Sequence, residues 1–214
     1  MDIVFSHLSE LWHPLWLTAE LTVLAFVGAM ILGTVVAIMR VSPVAPLRAV
    51  GTVYVEFFRN IPLLSLLFLL VFGLPDLKIT FSLFASATLG IALVSGAFVC
   101  ESVRTGINTV PLGQAEAARA IGLTFGKSLR SVILPQAFRS MVQPLTNVWI
   151  GTLIGSSIAA NVGVYELTSE AQQLNNQYAG GLPVFATVAA IYVVACLLSG
   201  AFGGWLDRRV AIAR

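Results

Sequence analysis

From Leu15 to Met39 the chain runs 25 residues with no proline and a single charged side chain, Glu20. A helix rising 1.5 Å per residue crosses about 30 Å of hydrocarbon over that length, with some tilt to spare. Comparable apolar blocks recur at about 51–71, 81–103, 145–164 and 183–206, and in the second the uncharged part begins only at Ile61. Inside a bilayer every backbone N–H and C=O must be satisfied within the chain, which leaves helices as the economical solution. The expected fold is therefore all-α, a single transmembrane domain over residues 1–214 with five spans. Composition agrees: 57% of residues are hydrophobic and 10% charged, whereas soluble chains carry about a quarter charged residues. A formal charge of +2 offers nothing to a nucleic acid. Cys100 and Cys196 fall within apolar blocks, which argues against a disulfide framework or a metal site.

The basic residues orient the spans. Arg40, Arg48 and Arg59 surround the first connection, Arg104, Arg119, Lys127, Arg130 and Arg139 the third, and Arg208, Arg209 and Arg214 the C-terminus; Lys78 alone falls on the other side. Cytoplasmic segments collect Lys and Arg, so the expected N-terminus is outside and the C-terminus inside. No Lys or Arg precedes Arg40, so the first span lacks the basic region of a cleaved signal peptide and is expected to remain. His7 and His13 sit beside Trp12 and Trp16, where an aromatic belt at the membrane interface is expected.

One stretch is too polar for lipid yet lies between spans. Gln114 to Pro135, within a loop at about 107–143, has an Ala-rich turn from Ala115 to Ile121 that favours helix. Gly122 supplies a left-handed stop, and Thr124 can cap a second short helix ending before Pro135. Ala115, Ala117 and Ala118 would offer a low surface to another protein; an interfacial helix that merely connects two spans is the plainer alternative.

Glu116-Ala117-Ala118, Gly122 and Val132-Ile133-Leu134-Pro135 resemble the EAA signature of ATP-binding-cassette (ABC) importer permeases, with Val132 where Ile is usual. Val55-Glu56-Phe57-Phe58-Arg59-Asn60-Ile61-Pro62, Glu101-Ser102-Val103-Arg104-Thr105-Gly106, Pro144-Leu145-Thr146-Asn147 and Val162-Gly163-Val164-Tyr165-Glu166-Leu167 are similar to further motifs of the polar amino acid permeases, in the same order. The resemblance covers roughly Leu15 to Leu206. It implies the type I importer permease (MetI-like) fold in a bacterial inner membrane and a coupling helix between spans three and four. It also implies a non-catalytic subunit working with two copies of an ABC ATPase, a second permease (a paralogue or a second copy) and an external substrate-binding protein. Glu116, Ala117, Ala118, Arg119, Gly122, Leu134 and Pro135 would engage the ATPase. The chain has no G-x-x-x-x-G-K-[ST] phosphate loop, so ATP is expected on another polypeptide, and no cofactor is expected. Met39-Arg40-Val41-Ser42-Pro43 and Gly106-Ile107-Asn108-Thr109-Val110 are similar to glutamate-uptake members; glutamine or another polar amino acid is the alternative cargo. A secondary transporter acting alone is the reading from a different class. It would need an intramembrane ionisable site or discontinuous helices for ion coupling; mid-span charges are scarce, and an odd number of spans offers no obvious inverted repeat.

The fourth span is the candidate pathway helix. Gly151 and Gly155 form a GxxxG continued by Ala159, a pattern that lets helices approach closely. Asn147, Thr152, Ser156, Ser157 and Asn161 are candidate pathway or substrate residues, with simple helix packing an equal alternative. Where the family commonly carries Lys followed by an acidic or amide residue, this chain has Ile154 and Gly155. A paralogous partner supplying the missing polar groups is one expectation. Glu56 with Arg59, and Glu101 with Arg104, are spaced to form ion pairs three residues apart at span ends. The polar run carrying Glu166, Glu170, Gln172, Gln173, Asn175, Asn176 and Gln177 reads as a solvated external connector, or as an outer gate or docking surface.

Overall fold

The computed structural model describes residues 9–178 and 181–210, and every regular element among them is helical. His7 and Arg214 lie outside the described residues. Three helices are by themselves long and apolar enough to cross a membrane: α1 (Trp12–Val41), α4 (Leu83–Asn108) and α9 (Gly181–Val210). The second region is α2 (Ala45–Asn60) and α3 (Leu63–Phe68), and the fourth is α7 (Leu134–Ser156) followed by α8 (Leu167–Tyr178). Counting each bent pair as one span gives up to five. Between spans three and four lie the short helices α5 (Leu112–Ala120) and α6 (Phe125–Ser128).

The span expected over 51–71 is broken, with its halves bent by 105°. Pro62 explains the break. The residue before a proline is pushed out of the helical region, and Ile61 is extended at φ −81°, ψ 132°. Prolines also account for two π-helical turns, Leu69–Gly73 and Leu129–Ile133. Each is followed within two residues by a proline, Pro75 and Pro135, which has no N–H and would crowd the carbonyl four residues back. The helix widens instead: the Leu74 N–H donates to Leu69 O, and the Leu134 N–H to Leu129 O. The helix that starts after Thr124 consequently runs on through Pro135 into α7 and does not stop before it.

α1 and α4 form the central pair. Small residues face each other along it: a Cβ at Gly33 would meet Val99 Cβ at 2.6 Å, and one at Gly28 would meet Ala92 Cβ at 3.2 Å. This is the close helix approach that small residues permit, and the GxxxG of Gly151 and Gly155 meets less of this chain. A Cβ at Gly151 would meet nothing within 4 Å, and one at Gly155 only Leu63, at 3.2 Å. The core continues through Leu21, Ala25, Leu67, Ile91, Ala159 and Val162, and a second cluster of Leu167, Ala171, Leu174, Val184 and Val188 joins α8 to α9.

Candidate functional site

One end of the bundle gathers the C-termini of α1, α4 and α9 and the start of α7. There Glu101 of α4 accepts from Arg104 at 2.8 Å and also from Arg40 of α1, so it ties two spans together. The expected intrahelical pair is half of this arrangement; Arg40 is the partner that spacing alone did not reveal. Glu56 and Arg59, by contrast, form no ion pair among the described residues, and the Arg59 guanidinium lies over the Phe98 ring, 5.6 Å from its centre.

The polar stretch is mounted on this end. Thr109 Oγ1 donates to Ser140 Oγ at 2.9 Å, and Ser140 reaches Gly106 O at 3.2 Å, fastening the end of α4 to α7. A Cβ at Gly106 would meet Met141 Cε at 2.8 Å, so the helices touch backbone to side chain there. Pro111 precedes the first turn of α5, and the Gln114 N–H donates to its carbonyl at 2.9 Å. The turn that stops α5 is made at Gly122, whose φ of +82° is a conformation that side chains with a Cβ resist. The turn is closed by Gly122 N–H to Arg119 O at 2.9 Å and Leu123 N–H to Ala118 O at 3.0 Å, a helix stop of the Schellman type.

The outward surface of α5 differs from a bare alanine face. Ala118 is 3% exposed and packs inward, and Ala115 is half-buried. Glu116, Ala117 and Arg119 are exposed, flanked by Leu112 and Ile121, which are 82% and 78% exposed. Two large apolar side chains at the ends of a short polar helix were not singled out from sequence, although their position within a charged loop is a usable signal. Leu134 and Pro135 lie past the π turn at the start of α7, with Leu134 half-buried and Pro135 exposed. Gln136 Nε2 reaches Gln114 Oε1 at 3.5 Å, joining that start to α5.

α7 divides the candidate pathway residues. Thr152 and Ser156 are buried: Thr152 Oγ1 lies 2.9 Å from Ser95 Oγ of α4, and Ser156 donates to Leu153 O at 2.7 Å. Ser157 and Asn161 satisfy themselves on Ile154 O and Ile158 O. Asn147 is exposed and lines a cavity of about 290 Å³ with Leu63, Ser95, Phe98, Gly151 and Gly155. Ile154 is 53% exposed.

At the opposite end the expected solvated connector is anchored. Glu166 is fully buried. Its carboxylate accepts from Tyr192 Oη at 2.6 Å, the Ser169 N–H at 2.9 Å and Thr18 Oγ1 at 3.4 Å, and the Leu167 N–H donates to Thr18 Oγ1 at 3.0 Å. A carboxylate at the start of α8 satisfies free N–H groups and suits the helix dipole. Glu170, also buried, accepts from Tyr165 Oη at 2.6 Å. Helix α8 carries the polar run from Leu167 to Tyr178.

These features define a class: a multi-pass helical membrane subunit whose short, partly apolar helix protrudes from the basic end of a bundle with a polar-faced seam. The chain belongs to the family described as binding-protein-dependent transport system inner membrane component, which matches residues 29–212. It is 38% identical to a glutamate transport system permease protein of Corynebacterium glutamicum, over 97% of this chain and 100% of that one. It is 33% identical to a probable glutamine ABC transporter permease protein of Bacillus subtilis, over 98% and 97%. Among solved structures, that of an amino acid ABC transporter with histidines superposes with a TM-score of 0.91 at 31% identity, covering 96% of both chains. The fold alone is shared with an inward-facing methionine ABC transporter, with a TM-score of 0.75 at 24% identity and 99% coverage of both.

Proposed function

We propose that this chain is the translocating subunit of an amino acid importer powered by a separate ABC ATPase, with glutamate as cargo. The observation that carries the reading is α5, a short helix with exposed Leu112 and Ile121 around Glu116, Ala117 and Arg119, stopped by a left-handed glycine, packed on the π turn that leads into α7 and joined to α7 through Gln114 and Gln136. Such a helix can seat in a groove of another protein and pass its movement to two spans as a rigid body. The basic end then faces the cytoplasm, with the N-terminus outside. An external binding protein delivers the amino acid, and a second permease completes the pathway across the open seam of Asn147 and Gly151. A glutamate permease at 38% identity over its whole length supports glutamate, against 33% for a glutamine permease and 38% over 84% of its length for an L-cystine permease. Uptake into vesicles holding the reconstituted transporter and internal ATP tests this: labelled glutamate should accumulate and unlabelled glutamine should compete poorly. Preferential glutamine uptake would reassign the cargo, and uptake without any ATPase would reject the class.

A further inference from the structure

Helix α7 presents two faces with different tasks. Asn147, Gly151 and Gly155 border the smaller cavity, whereas Phe138, Val142, Leu145 and Trp149 border a groove of about 870 Å³ between α1, α7 and α9. With about 100° of rotation per residue these sets lie on opposite sides of the helix, so the groove looks away from the polar seam. Its other walls are apolar: Phe26 and Met30 from α1, Leu198, Phe202 and Leu206 from α9. The walls are ordered, with Phe26 edge-on to Trp149 at 5.2 Å and Trp149 Nε1 donating to Ser199 Oγ at 3.0 Å.

Length and charge identify the occupant. From Pro135 to Trp149 the groove follows about 21 Å of helix. One leaflet of hydrocarbon is about 15 Å deep, so a slot of this length matches one acyl chain with its Pro135 end at the depth of a headgroup. At that level Arg139 forms part of the wall, half-buried, and no carboxylate among the described residues pairs with it. Arg208 and Arg209 stand on the last turn of α9 at the same end, beside a single acidic residue, Asp207. An apolar slot one leaflet deep with an unpaired guanidinium at its mouth matches a phosphate carrying a fatty chain. We propose that this groove seats an anionic phospholipid, with an acyl chain between α1, α7 and α9 and its phosphate on Arg139.

The test uses the assembled transporter in phosphatidylcholine vesicles containing a trace of phosphatidylglycerol with a diazirine in its acyl chain. After irradiation, adducts are mapped by peptide mass spectrometry. Adducts should fall on 138–149 and 198–206, and unlabelled phosphatidylglycerol should displace them at about one-fifth the concentration of added phosphatidylcholine, the ratio expected for one basic side chain at the membrane surface. Arg139→Gln should abolish that preference. Val142→Trp should clear the groove adducts while leaving those on exposed Ile31 and Val35 of α1. Equal displacement by the two lipids, or an undiminished preference in Arg139→Gln, would overturn the proposal. So would absence of groove adducts, which would mean that a second permease or another chain fills the slot. If Val142→Trp does not fold, the Arg139→Gln comparison decides alone.

Discussion

Replacing Gly122 separates backbone shape from side-chain space. A Cβ there would meet nothing within 4 Å, so alanine introduces no clash, yet φ is +82°. The penalty is conformational, about 1–2 kcal/mol for a residue other than glycine in the left-handed region. That corresponds to a factor of about 5–30 in the population of the turn that stops α5. Gly122→Ala should therefore leave the protein inserted and the spans intact while coupled uptake falls several-fold. Gly122→Asn should recover much of the loss, because asparagine tolerates this conformation. Gly122→Asp should insert normally but lose coupling, since it adds a charge beside the exposed face of α5. The assay is ATP-driven uptake together with permease-stimulated ATP hydrolysis in reconstituted vesicles. Wild-type coupling in Gly122→Ala, or an asparagine variant as impaired as the alanine one, would refute the backbone argument.

Three further outcomes follow from the packing. Glu166→Ala should lower thermal stability by roughly 2–4 kcal/mol, since it strips a carboxylate from Tyr192 and from a helix N-terminus. Tyr192→Phe should cost less, and the double variant should fall short of the sum; full additivity in thermal unfolding would contradict the shared contact. Gly33→Ala should destabilise by more than 1 kcal/mol, because its Cβ would sit 2.6 Å from Val99 Cβ, whereas Gly151→Ala should leave the fold of the isolated chain unchanged. The reverse order in the same melting experiment would count against the α1–α4 crossing. Glu101→Gln should destabilise more than Arg104→Ala, because it releases Arg40 of another span as well; Arg104 is 38% exposed, and its loss should cost about 1 kcal/mol or less.

Long apolar blocks made the helical membrane fold legible, because the length needed to cross lipid leaves few alternatives. The short helix α5 was legible too, through Ala-rich composition and a glycine stop. What escaped depends on three-dimensional partners. Pro62 was visible in the sequence, but the size of the bend at Ile61 depends on where α3 packs against α4. The π turns before Pro75 and Pro135 are local and could be sought ahead of any proline within a helical run. Glu166 read as solvated because its partners, Thr18 and Tyr192, lie 148 and 26 residues away. The Arg40–Glu101 contact bridges 61 residues for the same reason. Within this chain the α1–α4 crossing falls at Gly28 and Gly33, a contact to which the GxxxG at Gly151 did not point, while Gly151 is left open.

The most direct measurement places a cysteine at Ala117 in a chain whose Cys100 and Cys196 have been replaced, and asks what it reaches in the assembled transporter. A bifunctional thiol reagent should join it to the ATPase subunit in a manner that changes with ATP, and a membrane-impermeant thiol reagent added outside intact cells should not touch it. Labelling from outside, or no adduct with the ATPase in any nucleotide state, would contradict the account.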